Sequence, residues 1–311
     1  MKKLLFIALV GVIAFTACDK VDNPFPQLPP TDLDFDLYPN GGQAEYEANE
    51  WPTFSANTNT DRNVLIEDYT GHKCNSCPFA AVIAHDIEVA NPDRAFVSAV
   101  HTGPNGAGNL QAVSQPIFVE DFTCDEGEAI GVYFGVNWPG SPFFGNPSGT
   151  VSRVDGGSGA PVSQPSTWST IAANLLSAND LKVNLQSEAN YFSSTRGLFV
   201  HVEAEVLDQA LTNELRMVVQ FHEDSMVAPQ AYPGFDSLTY VHKDVMRGCI
   251  DGRAFGQALD ASRLGENGKY YFDYSYKVPD KYDAEHCHLL IYIRDAVTEE
   301  VYHVIKQEIE D

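Results

Sequence analysis

An α/β layer domain followed by an all-β sandwich is the architecture this chain predicts, and three patterns predict it. Between about residues 61 and 179, strand-like apolar runs alternate with segments of helical spacing. From about residue 180 the helical spacing stops, and short runs of alternating apolar and polar residues follow one another. A Pro-rich, acidic stretch precedes both and has the composition of a spacer.

The elements follow in chain order. Lys2 and Lys3 give a positive start, and Leu4 to Phe15 form an apolar stretch too short to span a bilayer. Phe15–Thr16–Ala17–Cys18 resembles the lipobox of bacterial lipoproteins, with Phe15 where leucine is usual. Residues 1–18 therefore read as a lipoprotein signal, and Cys18 as the acylated first residue of the mature chain. Acyl chains on Cys18 would hold the protein to a membrane without a spanning helix. Residues 19–60 read as the tether, with Pro24, Pro26, Pro29, Pro30 and Pro39 among acidic residues. Within it, Asp34–Tyr38 alternates as an edge strand would.

Residues 61–179 form the α/β unit. Asn63–Tyr69 reads as a buried strand, Pro78–Asn91 as a helix, and Ala95–His101 as a second strand. Thr102–Asn109 is a Gly- and Asn-rich loop, and Gln115–Phe122 and Glu128–Phe134 carry helical turns. After the Gly- and Pro-dense run Asn137–Gly149, Thr150–Val154 reads as a strand. Trp168, Ile171, Leu175 and Leu176 then fall at helical spacing. Residues 180–311 supply the strands of the second unit: Leu181 to Leu185, Leu198 to Val206, Leu215–Phe221, Phe272 to Val278, Leu289–Ile293 and Val301–Ile309. Asp251–Gly252 and Asn267–Gly268 are turn signals between them. Short strands without long helices predict an immunoglobulin-like sandwich.

Charge excludes one class of function. With 19 basic and 43 acidic residues the chain carries −24, and loss of Lys2 and Lys3 with the signal lowers this by two. Such a surface repels phosphate backbones, so nucleic acid is not a partner. There are six cysteines, Cys18, Cys74, Cys77, Cys124, Cys249 and Cys287. Export permits disulfides. Cys249 with Cys287 is the expected second bridge, with buried free thiols as the plain alternative.

Cys74–Asn75–Ser76–Cys77 carries the chemistry. It lies after a strand and a short polar turn and before a helix, the context that makes a CxxC pair a redox candidate. The helix dipole would stabilise the thiolate of Cys74, the attacking sulfur, which should cap the helix and be the more exposed. Cys77 would be the resolving sulfur, one turn deeper. Asp68 stands six residues before Cys74, where thioredoxins carry a buried carboxylate, and Glu67 stands one further back. His72 reads as a surface residue beside the turn. Thioredoxin-like folds also place a cis-proline beside the cysteines. Pro139 and Pro147 compete for that place, and Pro147 is favoured because a strand follows it. Zinc would need a second ligand pair, which His286–Cys287–His288 does not supply, since alternate residues of a strand face apart. The residues call for no cofactor. A purely structural disulfide stays open as the alternative to exchange with protein thiols and disulfides.

Val64–Leu65–Ile66–Glu67–Asp68–Tyr69–Thr70–Gly71–His72–Lys73–Cys74–Asn75–Ser76–Cys77–Pro78 closely resembles the opening motif of the outer-membrane-protein-28-related lipoproteins of Bacteroidetes. Val100–His101–Thr102–Gly103, Glu223–Gln230 and Tyr240–Gly248 resemble three further signatures of that family, in order. The resemblance implies a thioredoxin-like N-terminal domain, a β-rich C-terminal domain, and an outer-membrane or surface location. It implies no settled activity, so a redox lipoprotein and a non-enzymatic surface-binding or adhesion protein both stand. Within the last two signatures, Glu223, Asp224, His242, Lys243, Asp244 and Arg247 either line a groove or form a structural network. Asp224–Ser225–Met226 and Asp236–Ser237–Leu238 resemble the O-glycosylation sequon of that bacterial group.

Overall fold

The structure, a computed structural model, describes residues 33–310. The signal, Cys18 and the tether as far as residue 32 lie outside the described residues. The elements are α1 (Gln43–Asn49), β1 (Val64–Thr70), α2 (Cys77–Ala90), β2 (Ala95–His101), α3 (Asp125–Val132), β3 (Ser148–Val151), β4 (Val162–Ser163) and α4 (Pro165–Ala178). Then come β5 (Val183–Phe192), β6 (Gly197–Val206), β7 (Leu215–Glu223), β8 (Met226–Tyr232), β9 (Phe235–His242), β10 (Val245–Cys249), β11 (Gln257–Ala258), β12 (Tyr270–Lys277), β13 (Cys287–Asp295) and β14 (Val301–Glu308). The fold is mixed α/β and mostly sheet. Among the described residues no helix is long and apolar enough to cross a membrane.

One nine-stranded sheet runs through both halves in the order β14-β13-β7-β10-β2-β1-β3-β4, with β11 on β7. β1 and β2 are parallel, joined by α2, and β3 pairs antiparallel with β1. The halves meet where Val245 of β10 pairs with Ala99 of β2. Alternation along the strands builds the layers. Leu65 and Tyr69 of β1 share one core with Val218, Leu290 and Tyr292, roofed by Ile130 and Phe134. On the opposite face Val64 and Ile66 meet α2 and α4 through Ala84, Trp168 and Ile171. Farther along that face Met217, Val219, Leu289 and Ile291 meet the separate β5-β6-β12 sheet through Val200, Val202 and Phe272. The change at residue 180 therefore marks a new covering layer, while the sheet beneath continues.

Three expectations are corrected. Asp34–Tyr38 forms a short 3-10 helix at Phe35–Leu37, because the Asp34 side chain accepts from the Asp36 N–H and turns the chain. Residues 33–60 are not a free spacer: Tyr46, Leu33 and Tyr38 pack on Phe199 of β6, burying aromatic surface that a spacer would leave wet. The helical turns read at Gln115–Phe122 are irregular, and the helix begins at Asp125, where Cys124 Sγ accepts the Gly127 N–H and three acidic residues occupy the first turn.

Candidate redox site

β1 delivers the chain into the Gly71–Lys73 turn, and Pro78 then sets where α2 starts. Proline lacks an N–H and fits only the first helical turn, so α2 opens at Cys77 with Ser76 as its N-cap. Cys74 therefore lies in the turn before the helix and does not cap it. Its sulfur is bonded to Cys77, with the Cα atoms 5.4 Å apart.

Cys74 is only 3% exposed, which corrects the expectation of an open sulfur. Two segments wall it in. Lys73 N–H donates to Leu110 O at 3.0 Å on one side. On the other side lies the β8–β9 hairpin. Ala231 N–H donates to His72 O at 2.8 Å, and Gln230 Nε2 donates to Cys74 O at 3.0 Å. The Tyr232 ring stands edge-on to Phe79 at 6.1 Å. This hairpin pairs with neither of the other sheets. It is an excursion between β7 and β10, and a residue in the left-handed region flanks each end, Ser225 (φ 59°) and Asp244 (φ 50°). It exposes Val227, Phe235, Leu238 and Val241.

Asp68 and Cys77 line one cavity of about 170 Å3, together with His101, His242 and Asp244. Asp68 is buried, its Oδ1 has no hydrogen-bond partner, and burial pushes its carboxyl up to about 7. Burial likewise pushes Asp244 up to about 8 and His242 down to about 4, and it drives His101 well below its ordinary value. His288 Nε2 lies 3.7 Å from Asp244 Oδ1, yet burial pushes that imidazole down to about 2. Burial thus disfavours the charged form of both groups.

Glu67 does other work. Burial would raise its pKa, but the charge and two hydrogen bonds of Arg153, with bonds from Thr150 and Tyr69, hold it below the usual range. Arg153 also donates to Glu299 and to the Tyr292 hydroxyl, so this pair ties β1 to β13. Glu67 is thus structural, leaving Asp68 as the carboxyl beside the cysteines. His72 is buried, corrected from a surface position, with its ring on Phe118 and Phe122 and Nε2 bonded to Ala112 O.

The Asn146–Pro147 peptide is cis, and Trp138–Pro139 is not. Pro147 directly precedes β3, whose Ser148 pairs with Tyr69 near the end of β1. The Asn146 amide donates to Tyr69 O and Thr102 O, both at 2.7 Å, stitching β1 and β2 together at that end. Gln111 Nε2 bonds Thr70 O and Thr102 O in the same way. Cys249 and Cys287 form no bridge, and they are free, as is Cys124. Burial raises all three thiols, Cys124 and Cys287 to about 12, and Cys287 Sγ donates to Asp283 O.

The two C-terminal signatures divide between the roles weighed for them. Arg247 pairs with Glu223 at 2.8 Å and donates to Asp121 O, a structural network. His242, Lys243 and Asp244 line the Asp68–Cys77 cavity. Sequence reasoning passed over Gln230, Gln111 and Asn146. Ala228–Pro229–Gln230 stood inside a recognised signature, but nothing local ties an amide there to a carbonyl of residue 74.

These features define a mixed α/β, mostly β protein with a vicinal disulfide at a strand–helix junction, covered by a hairpin from its second half. The family model for the outer membrane protein Omp28 matches residues 142–311, more than half of the chain, and the chain belongs to that family. Among solved structures it is similar to HBP35 of Porphyromonas gingivalis, with TM-score 0.60 and 13% identity over 80% of this chain and 76% of that one. A domain of the outer membrane lipoprotein Omp28 from Porphyromonas gingivalis matches at 20% identity and TM-score 0.31, over 42% of this chain and 90% of that one. Protein AGR_C_4864 from Agrobacterium tumefaciens matches at 11% identity and TM-score 0.47, over 80% and 95%. No curated protein matches the chain.

Proposed function

We propose that this protein is an outer-membrane lipoprotein, anchored through acylated Cys18, that exchanges disulfides with client proteins through Cys74 and Cys77. In this reading residues 61–179 are a thioredoxin-like unit, and residues 180–311 an immunoglobulin-like sandwich that shares its sheet. The observation that carries the reading is the Cys74–Cys77 bond at the mouth of α2, with the partnerless Asp68 carboxyl facing the same cavity as Cys77.

The oxidised site works as follows. A client thiolate attacks Cys74 Sγ, the Cys74–Cys77 bond breaks, and Cys77 leaves as a thiolate. Asp68, protonated over part of the population near pH 7, supplies the proton that neutralises it. A second client thiolate then attacks the client sulfur of the mixed disulfide. The client becomes oxidised and Cys74 is released reduced. Reduction of a client runs the same steps backwards, with Asp68 taking the Cys77 proton. Cys74 is covered in the closed state, so either direction requires the β8–β9 hairpin to lift.

That burial also supports a second reading, a surface-binding protein in which the disulfide only staples the turn. One experiment separates the two. In Cys77→Ser protein, the freed Cys74 thiolate should attack added disulfide-containing proteins and stay trapped as a mixed disulfide, releasing the client's other sulfur as a thiolate, and the wild type should catalyse insulin reduction with dithiothreitol as the electron donor. If no mixed disulfide accumulates and the wild type is inert, the exchange reading fails and the binding reading stands.

A further inference from the structure

The outer face of the β5-β6-β12 sheet holds a second site, far in sequence from the cysteines. Tyr271 pairs with Glu203 across β12 and β6, and Asp273 with His201. Alternation sends these four side chains away from the core that Val200, Val202, Phe272 and Tyr274 build on the other face. Such a face is ordinarily open to water. Here the segment after α1, Trp51 to Ala56, passes in front of it and the turn around Asn267 closes one end. The result is a cleft of about 720 Å3, within the range of small-molecule sites.

Its floor is fixed before any ligand arrives. Glu203 is 5% exposed and accepts from Gln186 Nε2 at 2.6 Å, Lys269 Nζ at 2.6 Å and Tyr271 Oη at 2.7 Å. His201, 1% exposed, sits between Asp273 Oδ1 at 2.7 Å and the Tyr46 hydroxyl at 2.8 Å. Asn267 Nδ2 donates to the Tyr271 hydroxyl at 2.7 Å. The walls are aromatic. The Trp51 ring lies 4.5 Å from that of His201, and Phe54 lies 6.5 Å from Tyr271.

We infer that this cleft binds a neutral saccharide. Aromatic walls offer flat apolar faces to the C–H side of a pyranose ring. Carboxylate, amide and ammonium groups at fixed spacing can bridge its neighbouring hydroxyls. Charge narrows the choice. Glu203, Asp273 and Glu266 oppose an anion, and Lys269, which lines the cleft, is already held by Glu203 and Glu205. An organic cation on the rings is the competing occupant.

The test uses the chain from residue 19 onward and follows tryptophan fluorescence and calorimetry. The probes are maltotriose, cellotriose, xylotriose and chitotriose, with choline as the cationic probe. The expected result is saturable binding of at least one saccharide and none of choline. Trp51→Ala should weaken it at least about tenfold, and the exposed Asn267→Ala severalfold. The readout does not involve the cysteines, so it stands whether or not the redox reading does. Absence of binding to all four saccharides, binding unchanged in both variants, or binding of choline alone overturns the inference. Asn267→Ala keeps the outcome readable if Trp51→Ala disturbs the packing around Tyr46.

Discussion

Replacing Gln230 with alanine should make Cys74 reactive. Gln230 is 3% exposed, and its Nε2 lies 3.0 Å from Cys74 O, 3.4 Å from Gly71 O and 3.3 Å from Ala231 O. Truncation leaves these acceptors without that donor while the hairpin stays closed. Gly71 O keeps the Cys74 N–H and Cys74 O keeps the Cys77 N–H, so the closed state loses the net worth of the amide's bonds, about 0.5–1.5 kcal/mol. Taking about 1 kcal/mol for the site, the open fraction rises about fivefold, since about 1.4 kcal/mol is tenfold. Cys74 is modified only when open, so its alkylation rate should rise by the same factor. The assay is iodoacetamide labelling of Cys77→Ser protein, with and without Gln230→Ala, followed by peptide mass spectrometry. Cys249 and Cys287, buried elsewhere, serve as internal controls. Unchanged Cys74 labelling in a folded Gln230→Ala protein would refute the hairpin as the barrier. A rise shared equally by Cys249 would point to general loosening instead.

Three further outcomes are expected. Burial raises Asp68 from 3.8 to about 7, so the folded chain keeps a proton that the unfolded chain releases between those values. Its contribution to stability is therefore full below about pH 4 and is lost as pH rises to 7, at up to about 1.4 kcal/mol per pH unit. Asp68→Asn should match the wild type in urea at pH 4 and exceed it by about 4 kcal/mol at pH 8, with Asp244 keeping its own, separate slope. Arg153→Met strands Glu67 in the core and should destabilise by about 3–5 kcal/mol, and adding Glu67→Gln should recover most of the loss in chemical denaturation. Denatured but unreduced protein lacking residues 1–18 should titrate three thiols with a disulfide-exchange dye, where a Cys249–Cys287 bridge would leave one.

Much of the first half was legible because its signals are local. Val64–Ile66, the turn at Gly71 and Pro78 fix β1 and the start of α2 within a few residues of sequence. Asp68 could be singled out for the same reason, by its distance from Cys74. Its separation from Glu67 was not legible, because Glu67 is neutralised by Arg153, 86 residues away. The free state of Cys249 and Cys287 was hidden for a similar reason. Cys249 pairs in register with Gln220 and Cys287 with Glu223, positions on β7 that no spacing rule relates. Residues 33–60 misled because proline and acidic content reports solvation, whereas Tyr46 reports a docking surface supplied by Phe199. Composition averages over both.

The position of the hairpin argues that the two halves act as one device. β7 and β10, from which it springs, lie in the same sheet as β1 and β2, and Ala99 N–H of β2 donates to Asp244 O at the hairpin's base. The base is therefore fixed to the strand that runs beside Asp68. Only the distal part, held by Ala231, Gln230 and Tyr232, has to move for Cys74 to be reached. Anchoring the cover to the sheet keeps its tip within reach of the cysteines, so reclosing needs no search by a detached domain. A flexible linker in the same place would cover the sulfur far less of the time. In the proposed exchange the C-terminal half would therefore be more than a scaffold, because the hairpin it contributes covers Cys74.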